Sequence, residues 1–371
     1  MIDLAIASSD FCILNLHHRT NSLRVQAGSN GDIMKCDLYN GTWVRDYGGT
    51  IYTNMTCKTL PDTNNCEKYG KDHDFVKWKW QPHGCHLPRF DPEQFLNALR
   101  GMNLAFVGDS VARNHKNSLL CMLSQVESPQ NTYNDKENQI TKWYFQTYNF
   151  TVMHLWTRYF VRYEEMKVNG SNTETNVYLD EMDPNWVNLV HEANYVVLSG
   201  GHWFFKNLNL YQKNKLIGTV YEKNNISIAV QNAFRTALNY LSSSSGGGNV
   251  QLVVVRTFSP THFEGGVWNS GGSCTRTMPN LDPSPLNGNH LEMRNIMLEE
   301  MEGIRNVNRG RGVMFAAMDV TSVMNMRPDA HPGVHWDNRW NQGLSDCTHW
   351  CMPGPIDTWN QLLFLTLQRY I

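Results

Sequence analysis

The sequence predicts an α/β domain: a central parallel sheet covered by helices on both faces, fronted by a Cys-rich cap. Three observations predict it. Short apolar runs alternate with helical patterns from Phe95 onward, the arrangement that βαβ units produce. Two of those runs end in glycine turns, as strands of an open sheet do where the chain leaves for a helix. Residues 36–92 hold four cysteines and many aromatics with little helical periodicity, so they belong outside the sheet.

The elements follow in order. Residues 1–35 form a poorly defined N-terminal segment, 36–92 the cap and 93–371 the α/β core. Asn103 to Val107 (NLAFV) is a short buried strand running into Gly108-Asp109-Ser110. Val111 to Val126 is a helix with Leu119, Leu120 and Leu123 on one face. Tyr195 to Leu198 (YVVL) is a second buried strand, entering Gly200-Gly201-His202-Trp203. Ile228 to Leu241 is helical, and the Ser/Gly stretch at 242–248 is a flexible loop. Val250 to Phe258 is Val-rich and apolar, the strongest strand signal in the chain. Leu291 to Ile304 is a helix, Val313 to Val320 a strand and Ile356 to Tyr370 a closing helix.

Composition narrows the function. Hydrophobic residues at 41% and charged residues at 18% suit a globular protein with a sizeable core. A formal net charge of −2 supplies no basic field, so no nucleic-acid partner is expected. Twelve tryptophans and fifteen tyrosines serve mainly as core, although such faces also stack on sugar rings.

The nine cysteines point to a compartment. No C-x-x-C pair of the kind that holds zinc occurs, so no metal is expected. Eight of the nine lie in loops or beside a helix, which fits disulfides in an oxidising compartment and leaves Cys12 over. Asn40, Asn54, Asn149, Asn169 and Asn225 each open an N-x-Ser/Thr triplet, the acceptor pattern for N-glycans. Residues 1–16 carry Asp3 and Asp10, lack a basic leader region, and are too short and polar to span a bilayer. The expectation is that the native N-terminus extends further.

Three motifs fall at strand ends. In Phe106-Val107-Gly108-Asp109-Ser110, the serine opens a helix whose free N–H groups can hold an oxyanion. The same tripeptide would also arise from a turn glycine and a capping residue. In Asp346-Cys347-Thr348-His349-Trp350-Cys351, the histidine can take a serine's proton, and the aspartate three residues earlier can orient its ring. In Ser199-Gly200-Gly201-His202-Trp203-Phe204, Gly201 can offer a second oxyanion N–H, while His202 is a base, a substrate contact or a structural histidine. Arg327-Pro328-Asp329-Ala330-His331 forms a rival Asp/His pair, with His331 an acceptor-site or structural residue; His262 is similarly open.

Taken with KCDLYNGTWV at Cys36, KWKWQPHGCHLPRFDP at Lys77, FVGDSVARN at Phe106, SGGHWF at Ser199, RTFSPTHFEGGVWNSGGSC at Arg256, RPDAHPG at Arg327 and DCTHWCMPGPIDTWN at Asp346, these motifs resemble the plant trichome-birefringence-like family of polysaccharide O-acetyltransferases, related to GDSL/SGNH esterases. The resemblance runs through nearly the whole chain and implies an SGNH-hydrolase-like core. It makes Ser110 the nucleophile, His349 the base and Asp346 the orienting acid. Gly108, Asp109, Arg113, Asn114, Gly201 and His202 become supports of the turn or the oxyanion. It also implies the disulfides Cys36–Cys85, Cys57–Cys121, Cys66–Cys351 and Cys274–Cys347. Many relatives carry an N-terminal membrane anchor and some carry further cysteines after the Gly-His-Trp block; residues 1–16 do not read as such an anchor, and residues 218–222 hold no cysteine.

The implied reaction is a double displacement through an acetyl-serine, with the enzyme in the Golgi lumen and no bound cofactor. The acetyl donor would be acetyl-CoA or another carrier, supplied directly or by a membrane protein. The acceptor would be a hemicellulose: the KWKWQP and RTFSPTHFEGGVWN blocks are closest to xyloglucan and mannan acetyltransferases, with xylan behind them. Trp78, Trp80, Trp203 and Trp268 are candidate walls of an acceptor groove, or core. Two other readings stand beside this one: a carbohydrate acetylesterase, which uses the same triad with water as acceptor, and a glycan-binding protein without turnover.

Overall fold

The structure, a computed structural model of the chain, describes residues 35–371 except 169–171, 222–224, 244–245, 283–285, 287, 311 and 338–342. The segment 1–16, Cys12, the Asn169 sequon and part of the 242–248 loop therefore lie outside the described residues.

The cap contributes a two-stranded antiparallel sheet, β1 (Gly41–Arg45) with β2 (Trp78–Pro82). Trp43 and Trp80 meet edge-to-face at 5.8 Å, and their indole N–H groups donate to the carbonyls of Val323 and Leu38. Each indole thus buries its ring while keeping its one donor satisfied. α1 (Pro92–Ala98) follows, capped by Asp91, whose carboxylate accepts from the N–H groups of Glu93 and Gln94.

The core is a seven-stranded sheet. β3 (Asn103–Gly108) leads into α2 (Ser110–Leu123); β4 (Gln130–Asn134), β5 (Ile140–Phe145) and β6 (Phe150–Trp156) come next. After an excursion, β9 (Tyr195–Ser199), β12 (Leu252–Arg256) and β13 (Met314–Met318) complete it. The order is β13-β12-β9-β3-β6-β5-β4. The first five are parallel, as expected, but at the edge β5 pairs antiparallel with β6 and β4 antiparallel with β5, so the sheet is mixed. Side-chain alternation divides two cores. Leu104, Phe106, Tyr195, Val197, Leu252 and Val254 face one core with α2, the cap and the closing helix α7 (Asp357–Gln368). Ala105, Val107, Val196, Leu198, Val253 and Val255 face the other. That second core holds α3 (Pro184–Val190), α4 (Ile226–Ser242) and α5 (Gly288–Val307).

The excursion builds a second sheet in the order β11-β10-β8-β7, from β7 (Val161–Val168), β8 (Asn172–Met182), β10 (Leu208–Gln212) and β11 (Lys215–Val220). One short helix, α6 (Thr321–Asn325), follows β13.

Four disulfides are present among the described residues: Cys36–Cys85, Cys57–Cys121, Cys66–Cys351 and Cys274–Cys347, the pairing the resemblance implies. Two of them end in the Asp346–Cys351 segment. No helix among the described residues is long and apolar enough to cross a membrane. Of the sequon asparagines, Asn40, Asn149 and Asn225 are exposed and Asn54 is half-buried.

Candidate active site

The site forms where β3 and β9 end. A Cβ on Gly108 would come within 1.7 Å of the Ser199 carbonyl oxygen, so only glycine lets the two strand ends approach this closely. Asp109 then caps α2, its Oδ1 accepting from the Val111 N–H at 2.9 Å. Ser110 is the first residue of that helix, among the N–H groups that have no partner within it. Burial pushes the Asp109 carboxyl up, but His202, Arg256 and the Val111 N–H outweigh it and hold the group below its usual value. Asp109 is therefore ionised and structural, pinned behind the serine.

The Asp346–Cys351 segment faces this helix. Asp346 Oδ1 accepts from the N–H groups of Thr348 and His349, and His349 Nδ1–H donates to Asp346 Oδ2 at 2.8 Å. With Nδ1 taken, Nε2 is the ring nitrogen left to accept or pass a proton. Burial pushes Asp346 up and His349 down, yet their mutual attraction wins in both: the carboxyl falls to about 2 and the imidazole rises above its ordinary value. Backbone bonds between Gly333 and Asp346 in both directions, and from His262 N–H to the Cys347 carbonyl, hold the segment in place.

Asn114 joins the two halves. Its Oδ1 accepts from the Trp350 N–H at 2.8 Å and its Nδ2 donates to the Trp350 carbonyl at 3.3 Å. Ser110 and Asn114 are four residues apart, so they share a face of α2. The helix that presents the serine is thereby bonded to the residue next to His349. The same Trp350 carbonyl accepts from Asn64 Nδ2 of the cap at 3.1 Å, and the indole N–H donates to Ser259 Oγ at 2.8 Å.

The other expected residues sort themselves by position. Gly201 opens the turn after β9 at φ +131°, and a Cβ there would meet Met293 and Phe258. His202 stacks on Phe258 at 4.5 Å, and its Nε2–H donates to the Ser259 carbonyl. Its Nδ1 stands 3.6 Å from Asp109 Oδ2, close enough for attraction but too long for a hydrogen bond. Arg113 lies over the Trp156 ring at 5.1 Å.

A groove of about 590 Å³ opens beside His202 and Thr348, lined also by Phe205, Lys206, Phe258, Phe263, Trp268, Asn269 and Asn289. It shares Thr173, Thr175, Asn207, Trp268 and Asn269 with a second hollow of about 900 Å³ that reaches Tyr221. Trp268 is 55% exposed, the only one of the four expected wall tryptophans that lines this groove.

The remaining expectations for an acceptor wall are corrected. Trp80 is 3% exposed and belongs to the cap's core. Trp78 lies under Arg45 beside a separate cavity that includes Met122, about 18 Å along α2 from Ser110. The Trp203 ring is covered by Arg158 and Lys206 at 4.2 and 3.9 Å, which leaves a sugar little of its face. His331 is 1% exposed and bonded to the His349 carbonyl, so its ring is packed inside the fold and does not form an open wall. Sequence reasoning missed Ser259 and Trp350, and Asn114's clamp could have been found from its four-residue spacing to Ser110.

A parallel sheet that delivers a Gly-Asp-Ser turn to a helix N-terminus, opposite an Asp-x-x-His segment, defines the GDSL/SGNH-like class of acyl-group proteins. The comparisons sharpen this. The chain belongs to the GDSL/SGNH-like acyl-esterase family found in Pmr5 and Cas1p, which matches residues 87–366, preceded by a PMR5 N-terminal domain over residues 34–86. It is 46% identical to xyloglucan O-acetyltransferase 4 of Populus trichocarpa over 345 residues, 90% of this chain and 81% of that protein. Against xyloglucan O-acetyltransferase 2 of Arabidopsis thaliana the identity is 40%, covering 90% and 83%. Protein trichome birefringence-like 20 of Arabidopsis thaliana is 42% identical, covering 90% and 72%.

Proposed function

We propose that the protein is a hemicellulose O-acetyltransferase whose acceptor is xyloglucan. Its relatives by sequence bear that activity in their names. The chemistry rests on one observation: Asn114 bonds the segment holding the Asp346–His349 pair to the helix that begins at Ser110.

In the first step His349 Nε2 takes the Ser110 proton as Oγ attacks the acetyl carbonyl. The tetrahedral oxyanion is held by the Ser110 N–H, with Gly201 as second donor. Collapse expels the donor's leaving group, which receives the proton from His349, and leaves acetyl-Ser110. A sugar hydroxyl lying in the Trp268 groove then gives its proton to His349 and attacks that ester, releasing Ser110 and the acetylated glycan. The donor is acetyl-CoA or another acetyl carrier, delivered directly or by a donor-supplying membrane protein. Four disulfides and surface sequons favour an oxidising lumen, that of the Golgi.

The test incubates disulfide-intact protein with an acetyl donor and xyloglucan, mannan or xylan oligosaccharides, scored by mass. Wild type adds one acetyl to xyloglucan fragments and Ser110→Ala adds none. Loss of acetyl from pre-acetylated fragments, with no gain on any acceptor, would instead make the protein an esterase.

A further inference from the structure

Behind the segment that carries His349 lies a pair of histidines that the mechanism does not use. His331 Nδ1 is 2.7 Å from the His349 carbonyl oxygen, His331 Nε2 is 2.7 Å from His262 Nδ1, and His262 Nε2 is 3.2 Å from the Asn325 carbonyl oxygen. His331 also stacks on Trp350 at 4.1 Å. Both ends of this chain of contacts are carbonyls, which only accept, so three hydrogen bonds require three protons on two rings. Two neutral imidazoles carry two.

One contact must therefore lack a proton, or the pair carries a charge. Burial disfavours the charge: it drives His262 down to about 4 and His331 well below its ordinary value. Around the pair, Asp346, Glu264 and the carbonyls favour a charge, while Lys71, Arg276 and His290 oppose it. For a neutral pair the distances choose the contact that goes without. A lone pair facing an oxygen or nitrogen at 2.7 Å is strongly repelled, and the 3.2 Å contact to Asn325 is the least costly to leave empty.

We propose that His262 and His331 are positioning residues for the base, with fixed tautomers: His262 Nδ1–H donates to His331 Nε2, and His331 Nδ1–H donates to the His349 carbonyl. His262 thereby forbids the other His331 tautomer, which would turn a lone pair on His349. The pair fixes the backbone of the base from below, while Asp346 fixes its ring from the side. The kinetic consequence rests on His349 being the base; the tautomer assignment does not.

Two measurements test this. Long-range proton–nitrogen NMR of ¹⁵N-histidine-labelled wild-type protein at pH 7 reads the tautomers directly. The expected spectrum shows Nδ1 protonated and Nε2 bare on both rings; Nε2–H on His331, or a doubly protonated ring, overturns the proposal. Because no turnover is needed, this result stands apart from the success or failure of the acetyltransferase reading. The second measurement is turnover of p-nitrophenyl acetate. His331→Phe keeps the stack on Trp350 but has no donor, so kcat falls at least tenfold with KM within about twofold. His331→Asn restores a donor near the Nδ1 position and recovers most of that loss. Wild-type kcat in His331→Phe, or no recovery in a folded His331→Asn, overturns the positioning role.

Discussion

Asp346 is the residue on which the pH behaviour of the site turns. Its carboxylate lies 2.8 Å from His349 Nδ1 and is the largest influence opposing the burial that would otherwise depress the imidazole. In the proposed mechanism His349 works as a base only when neutral, so activity is expected to fall as pH drops through its raised pKa. Replacing Asp346 by Asn removes that opposition and admits the wrong ring tautomer. The expected result is a kcat lower by about 10³–10⁴-fold, with the acid limb of the residual pH–rate profile moved to lower pH. An unmoved limb would show that another group sets it. The linkage to stability runs in the same direction but further into acid: Asp346, depressed to about 2, stabilises the fold above the ordinary carboxylate range, and that contribution is lost as pH falls through about 2.

Asn114 acts at the same scale but through backbone. It satisfies both the N–H and the carbonyl of the wholly buried Trp350. Asn114→Leu leaves the N–H unpaired in the interior, which costs about 1–3 kcal/mol. Because the bonded residue adjoins His349, kcat on a small ester is expected to fall further than the melting temperature alone would imply. Thermal unfolding and steady-state kinetics on the same preparation separate the two.

Among the elements, the Asp346–Cys351 segment is held by two covalent ties as well as by hydrogen bonds. Cys351 bonds to Cys66 of the cap, 285 residues away, and Cys347 to Cys274. Serine at both Cys66 and Cys351 is expected to destabilise the fold by about 2–5 kcal/mol and to free the cap from Trp350. Chemical denaturation reads the first effect and loss of ester turnover below the unfolding midpoint the second. Reading these elements from sequence succeeds where burial is complete. β3, β9 and β12 are buried along their length, so continuous apolar runs announce them. It fails where pairing, not burial, makes the strand. Every residue of β4 is exposed, and β7 carries Glu164, Glu165 and Lys167 within four positions, so neither carries an apolar period; each exists because a neighbouring strand offers an edge. The Asp346–His349 hydrogen bond was legible for the same local reason, since the two residues are three apart. The His262–His331 contact spans 69 positions and leaves no trace in local spacing.

At the scale of the whole molecule, the proposed double displacement requires an acetyl-Ser110 to meet a sugar hydroxyl before water. The groove beside His202 and Thr348 continues past Trp268 into a second hollow, and its Asn and Thr side chains offer hydrogen-bond partners to sugar hydroxyls. Trp268 stands at the junction on a turn closed by paired backbone bonds between Glu264 and Ser273. Cys274, the next residue, is bonded to Cys347 beside the base. The wall of the groove and the catalytic segment are therefore one tethered unit, and a glycan stacked on Trp268 would be registered against His349. Trp268→Ala should raise KM for a xyloglucan oligosaccharide by about tenfold, the loss of one stacking face, while p-nitrophenyl acetate turnover stays within twofold. Equal loss on both substrates would make Trp268 a support of its loop, and no loss on either would place the acceptor elsewhere. The split between the two substrates also measures water exclusion: if the bound glycan shields acetyl-Ser110, the variant loses transfer and gains hydrolysis in the same experiment.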